Sequence, residues 1–293
     1  MTLTIATAQS HIGRDARQNG AHLRTLMHAA ARAGARLVHL PEAALSGYVV
    51  EQIGGWAEVD WDVLHEELAA TADLARRLGL WVVLGCNHRL AAPARAGGGI
   101  GAHGRATHDG ATHDGGIHDE APWPQNSLHV ISDQGVVAGR YSKRKLSNTE
   151  LTWWYTPGSD PLVFDVDGVR LGCALCIEVV FPQLFAEYER LQADCVLLSM
   201  YSADALHGLM ARAHAATNCY WVSLSSLAAT SAGNPSSLIG PDGEVLASCP
   251  PGRAGIAVQT IDRDDPRFVV PLRYARPWRA QAESGEIYAG RLS

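Results

Sequence analysis

Apolar positions along this chain follow two periods that take turns. Residues 3–8 alternate as a strand, and residues 17–33 then place Leu23, Leu26, Met27 and Ala30 on one face of a helix. Residues 36–40 are strand-like, 63–78 helical and 80–86 strand-like again. Residues 127–131 and 136–141 flank Asp133-Gln134-Gly135, a hairpin signature. The near-continuous apolar run at 195–200 predicts a strand buried on both faces, because a half-exposed strand would alternate. A helix at 207–218, a strand at 220–224 and a last strand pattern at 254–261 follow. Strands alternating with helices predict a layered α/β protein.

One stretch stands outside this pattern. Residues 94–120 are rich in Gly, Ala, His and Asp, with the tandem copies Ala106-Thr-His-Asp-Gly110 and Ala111-Thr-His-Asp-Gly115 and a decayed copy at 116–120. Its few apolar side chains cannot offset the entropy of ordering, so a surface insertion is expected. Its four His and three Asp also compose a metal-collecting tract, the less favoured reading. Gly99-Ile-Gly-Ala-His-Gly104 spells a dinucleotide-binding pattern, but no strand precedes it and no helix follows, so that reading is rejected.

Composition narrows the class without choosing a function. With 293 residues, 47% hydrophobic and 18% charged, the chain has material for a substantial core. A net charge of −6 argues against broad nucleic-acid binding, and no apolar run is long enough to span a bilayer. The first residues lack a basic leader and go straight into a strand pattern, so a cytoplasmic protein is expected. Six cysteines, mostly in apolar runs, fit a reducing compartment better than a disulfide framework. Cys173 and Cys176 form a CxxC, but there is no second pair at zinc spacing and the two lie along a strand that points them to opposite faces.

Candidate chemistry gathers where strand patterns stop. The run Val169-Arg-Leu-Gly-Cys-Ala-Leu-Cys176-Ile-Glu-Val-Val-Phe-Pro182 ends a strand at a cysteine followed by an acid and a helix-like segment. A cysteine there can be presented to a pocket beside free backbone N–H groups, as a nucleophile needs, although an inert buried thiol is the commoner case. Leu40-Pro41-Glu42-Ala43-Ala44-Leu45-Ser46-Gly47-Tyr48 sets a carboxylate just past another strand, and Lys143 follows Tyr141-Ser142 at the end of a third. Base, cation and thiol, each at a strand end, are what acyl transfer through a thioester requires.

In that order these motifs resemble the nitrilase, or carbon–nitrogen hydrolase, superfamily, and the resemblance runs from Thr4 to about Ile261. It implies a four-layer α-β-β-α sandwich, with Glu42 as general base, Lys143 as catalytic lysine and Cys176 as nucleophile. Glu150, in Glu150-Leu-Thr-Trp-Trp-Tyr-Thr-Pro-Gly158, looks like the family's second glutamate and would orient Lys143 or the substrate. The backbone N–H of Ile177 would join Lys143 at the oxyanion, and Tyr48 and Trp153 are candidate substrate contacts. The Met210-Ala-Arg-Ala-His-Ala-Ala-Thr-Asn218 helix and the hairpin at 236–247 resemble later family elements. Neither metal nor cofactor is required.

Departures from the family narrow the substrate. Ile177 replaces an aromatic residue, and Val179-Val180 stand where an arginine could grip a carboxylate. The expected activity is therefore cleavage of a small, linear, non-peptide C–N bond, first an uncharged or amine-bearing amide. N-carbamoyl amines, nitriles and acyl transfer remain open, as does a catalytically idle binding member. One hydrolase domain at 1–262 is expected, with the insertion within it and a C-terminal extension at 263–293. That extension carries Phe268, Val269, Val270, Leu272, Tyr274 and Trp278, too apolar for a solvated terminus, although three prolines limit regular structure. The resemblance implies that it covers a partner subunit in a symmetric dimer or larger even oligomer.

Overall fold

The computed structural model describes residues 1–91 and 122–289, so the His- and Asp-rich insertion and its GxGxxG run lie outside the described residues. Two six-stranded sheets form the centre. One has the order β12-β1-β2-β3-β4-β5 and the other β11-β10-β9-β8-β7-β6. In the first, β1 (Thr2–Gln9), β2 (Leu37–His39) and β3 (Trp81–His88) run parallel, and β4 (Gln125–Ile131) and β5 (Val137–Ser142) complete one edge antiparallel. In the second, β7 (Val169–Leu175), β8 (Cys195–Ser199) and β9 (Trp221–Ser225) run parallel, with β6 (Val163–Val166) antiparallel at one edge. The hairpin of β10 (Ser237–Ile239) and β11 (Val245–Ser248) closes the other edge, while β12 (Gly255–Asp262) returns to pair with β1.

Three apolar clusters separate four layers. Leu3, Ile5, Leu37, Val83 and Val130 of the first sheet meet Leu171, Cys173, Leu197 and Trp221 of the second. The outer face of the first sheet packs on α1 (Ala16–Arg32) and α2 (Trp61–Leu78) through Leu23, Met27, Leu64 and Leu74. The outer face of the second packs on α4 (Pro182–Arg190) and α5 (Ala205–Asn218) through Leu184, Phe185, Ala211 and Ala215. The α-β-β-α sandwich is therefore observed. Burying each such Leu or Phe stabilises the fold by roughly 1.5–3 kcal/mol, which is why the buried stripes decide the layering.

The helices start and stop where their sequences permit. Asp15 and Asp60 cap α1 and α2 by accepting from backbone N–H groups in the first turn, and Gly79 ends α2 in the left-handed region at φ 60°. The C-terminal extension, in which three prolines were expected to limit regular structure, is a succession of short helical segments. It forms helical turns at Pro266–Phe268 and Val270–Ala275 and then α6 (Arg276–Glu283), with Pro266, Pro271 and Pro277 each at the first or second position of its segment. Phe268 is buried edge-on against Trp221, whereas Val270, Tyr274 and Trp278 are exposed. Among the described residues no helix is long and apolar enough to cross a membrane.

Candidate active site

Parallel strands of both sheets end on one side, and the chain leaving β2, β5 and β7 carries Glu42, Lys143 and Cys176. Past β2, Leu40 still donates its N–H to Val83, and the next residues cross over β3 at Gly85. A Cβ on Gly85 would overlap the Pro41 carbonyl oxygen and stand 2.8 Å from the Glu42 carbonyl carbon. Gly158 plays the same part behind Ser142, while its N–H donates to the Lys143 carbonyl at 2.9 Å. Each charged residue thus rests on a glycine that lets backbones touch.

The three carboxylate and ammonium groups meet in one buried cluster. Lys143 Nζ donates to Glu42 Oε1 at 2.9 Å and to Glu150 Oε1 at 2.7 Å. Glu150 lies on the short helix α3 (Asn148–Trp153), where its Oε2 accepts from the Ser147 N–H in a capping box, so helix start and lysine are held by one side chain. Tyr48 Oη donates to the same Glu150 Oε1 at 3.1 Å. Asn126 Nδ2 donates to Glu42 Oε1 at 2.7 Å. Glu42 Oε2 is buried with no hydrogen-bond partner among the described residues, which leaves one face of this carboxylate open.

Cys176 follows directly on β7 with φ 44°, a left-handed conformation that a non-glycine residue keeps only when its surroundings impose it. Those surroundings are visible. Glu178 accepts from the Leu175 N–H and from Tyr141 Oη through Oε2, each at 2.7 Å, and from the N–H groups of Arg144 and Lys145 through Oε1 at 2.7 and 3.0 Å. One carboxylate therefore ties the cysteine turn to the segment just after Lys143. His214 Nε2 hydrogen-bonds the Val179 carbonyl at 2.8 Å and stacks on Phe185, steadying the far side of the turn. Cys176 is 8% exposed, with Sγ 3.5 Å from the Tyr201 carbonyl.

Electrostatics differentiate these groups. Burial pushes the Glu42 carboxyl above its ordinary range, against the pull of Lys143. Glu150 feels burial too, but Lys143 and its hydrogen bonds outweigh it and hold its pKa down. Burial also opposes the Lys143 charge, and the two glutamates overcome it and raise its pKa well above the usual lysine value. Burial, then the Glu42 charge, pushes the Cys176 thiol up despite Lys143. The resting arrangement is a neutral thiol, an ammonium, an ionised Glu150 and a carboxylate at Glu42 with the highest readiness of the pair to take a proton.

The remaining expected residues divide. Tyr48 belongs to the cluster, and its ring stacks on Tyr201 with centroids 4.5 Å apart. Gln52 Nε2 donates to Tyr201 Oη at 3.0 Å, fixing that stack. Ile177 is half-buried beside the thiol, whereas Trp153 is 59% exposed at the end of α3. Trp56, Trp154 and Tyr155 form the neighbouring aromatic group, with Tyr155 Oη donating to Asn87. Arg144 is engaged by Glu187 at 2.7 Å. Asn126, Tyr201 and the clamp role of Glu178 escaped the sequence reading. Asn126 left little signal, standing among the polar Gln125, Ser127 and His129 of β4, while Tyr201 left none, since only its backbone meets the thiol.

Residues 4–269 match the family model described as carbon-nitrogen hydrolase. The chain belongs to the carbon–nitrogen hydrolase family. Among curated relatives, this carbon–nitrogen hydrolase is 29% identical over 157 residues to a probable nitrilase of Schizosaccharomyces pombe, covering 50% of this chain and 56% of that one. It is 24% identical over 196 residues to a hydrolase of Mycobacterium tuberculosis, covering 66% and 59%. The aligned part spans a little over half the length of these relatives. An amidase from Nesterenkonia sp. AN1, solved with butyramide, shares the fold at a TM-score of 0.70 and 20% identity, covering 96% of each chain. The NitFhit protein of C. elegans matches at 0.72 and 21%, covering 95% of this chain and 64% of that one.

Proposed function

We propose that this protein is a cysteine amidase that hydrolyses small, linear, uncharged amides. The observation that carries the reading is the buried Glu42–Lys143–Glu150 cluster with a free Glu42 oxygen at the strand ends that also present Cys176. In this reading Glu42 takes the thiol proton as sulfur attacks the carbonyl carbon. Lys143 and the Ile177 N–H receive the negative oxygen, a contribution typically of about 10²–10³ in rate per donor. Collapse breaks the C–N bond, and the amine leaves with the proton from Glu42. Water, deprotonated by Glu42, then cleaves the thioester, the acid departs and the thiol is restored. Glu150 orients Lys143, and no metal or cofactor takes part.

The choice of an uncharged amide rests on two features. Two carboxylates already face one ammonium, and Arg144, the nearest arginine in sequence, is occupied by Glu187. A substrate carboxylate would enter against net negative charge with no bidentate partner. The butyramide bound to the structurally similar Nesterenkonia amidase supports a neutral aliphatic amide. The exposed Leu206 and Leu209 of α5, with Val270, Tyr274 and Trp278 of the extension, support pairing of subunits into a dimer or larger even oligomer. Six buried free thiols support a cytoplasmic setting.

An ammonia-release screen across small amides, ureas and nitriles tests the activity. Primary aliphatic amides should turn over and Cys176→Ala should abolish it. Turnover of nitriles or ureas alone, or activity surviving Cys176→Ala, would overturn the proposal.

A further inference from the structure

The apolar interface between the two sheets is interrupted near the candidate site by a line of four polar side chains, Thr7, Ser223, His39 and Ser199, all buried. Thr7 Oγ1 is 2.7 Å from Ser223 Oγ, which is 2.9 Å from His39 Nδ1. His39 Nε2 is 2.8 Å from Ser199 Oγ, and Ser199 Oγ donates to the Leu40 carbonyl at 2.8 Å. The last bond assigns every proton before it. Ser199 has spent its hydrogen on Leu40, so it accepts from His39 Nε2–H. A neutral imidazole then has a bare Nδ1 and accepts from Ser223, which in turn accepts from Thr7. Burial, which pushes the His39 pKa down to about 3, agrees with a neutral ring.

We propose that His39 and Ser199 are positioning residues that hold the Glu42 carboxylate in register with the Cys176 thiol; this rests on the amidase reading above. The two ends of the line make the case. Ser199 is the last residue of β8, two before Tyr201, whose carbonyl faces the Cys176 sulfur. Leu40, which receives the Ser199 hydrogen, lies two residues before Glu42. One hydroxyl therefore joins the backbone segment beside the nucleophile to the segment carrying the base, flanked by the apolar contacts of Leu3, Ile5, Val83, Leu197 and Trp221, while Ser225 and Ser236 make further hydroxyl links to β1, at the Ala8 carbonyl. Apolar contacts tolerate small sliding of one sheet over another, whereas directed hydrogen bonds do not. Apolar residues of equal volume would avoid the cost of desolvating four polar groups, so a fully satisfied line here is explained by register rather than by stability.

The test measures the rate at which iodoacetamide alkylates Cys176, read by peptide mass spectrometry, in the full chain at neutral pH. Ser199→Ala should slow alkylation on the order of 10- to 100-fold, the penalty for a displacement near an ångström. In a Glu42→Gln background the same substitution should change the rate less than about twofold, since the residue it positions no longer takes the proton. His39→Leu should behave like Ser199→Ala, and His39→Gln, which keeps one acceptor and one donor, should restore the rate to within about threefold. Equal slowing by Ser199→Ala with and without Glu42 would overturn the positioning role, as would an unchanged rate. If Ser199→Ala does not fold, the Leu and Gln variants of His39 decide by the same criterion. A wild-type rate indifferent to Glu42→Gln would instead remove the amidase reading on which the proposal stands.

Discussion

Glu178→Gln is the substitution that most directly tests how the site is held together, because it preserves shape and removes charge. The carboxylate receives four donors, three of them backbone N–H groups. A glutamine has one oxygen and one NH2, so one side must face donors with a donor. Placing the NH2 toward Arg144 and Lys145 would orphan two N–H groups. Placing it toward Tyr141 and Leu175 orphans one, since the tyrosine hydroxyl can rotate to accept. The second choice wins, and losing one charged hydrogen bond while stranding a buried N–H costs about 2–4 kcal/mol. For 293 residues that is a fall in melting temperature of about 3–7 °C. The cysteine turn should also loosen relative to Lys143, lowering kcat/KM on the order of 10²-fold. Differential scanning calorimetry and amide turnover measure both. Burial raises the Glu178 pKa against these donors. A variant that melts and turns over like the wild type would show a neutral carboxyl and refute the clamp.

Three further outcomes follow from the same geometry. The acid limb of kcat/KM should lie above the ordinary glutamate range, with activity lost as pH falls through the raised Glu42 pKa because a protonated Glu42 cannot accept the thiol proton; Lys143 and Cys176 are both shifted up, so no alkaline loss is expected below about pH 9, and a limb near 8 would contradict this. Gly85→Ala should lower kcat about 10- to 100-fold by displacing Pro41 and Glu42, with about 1–3 kcal/mol lost in melting experiments, and unchanged kinetics would remove the close-approach argument. Truncation after Val269 keeps the buried Phe268 but removes the exposed Val270, Tyr274 and Trp278; light scattering should show a smaller assembly, and an unchanged one would take the tail out of the interface.

The layers were legible because their periods are strong. Residues 17–33 predicted α1 within a residue at each end, and the near-continuous apolar run at 195–200 marked β8, one of the central strands. Glu42, Lys143, Glu150 and Cys176 were legible as strand-end or turn residues of the right types, and the first three meet through hydrogen bonds in the fold. What stayed hidden was mostly tertiary. Asn126 reaches a carboxylate 84 positions away, and Tyr201 meets the thiol through its backbone carbonyl, a contact that leaves no trace in residue type. Gly85 reads as an ordinary strand interruption until the crossing chain above it is seen. The extension was legible only in part. Its three prolines keep each helical segment short, but where each segment begins could not be read from residue type.

Charge placement explains why a lysine beside the thiol does not by itself make this a thiolate site. Lys143 has one positive charge and already donates to two carboxylates at 2.7 and 2.9 Å, so its field at Cys176 is largely cancelled by Glu42 and Glu150. Burial then settles the matter in favour of the neutral thiol. On the amidase reading, sulfur becomes nucleophilic only when a carbonyl carbon stands ready and the proton moves to Glu42 in the same step. The same holds for selectivity among the cysteines. Cys173 and Cys195 are also pushed up by burial, but they lie in the inter-sheet core, whereas Cys176 lies at the end of β7 on the helix-facing side of that sheet, where Glu42, one of whose oxygens has no hydrogen-bond partner among the described residues, contributes to its electrostatics. On the amidase reading, what distinguishes Cys176 is the partner that can take its proton, so removing Glu42 should cost alkylation of Cys176 more than any change that merely opens the pocket.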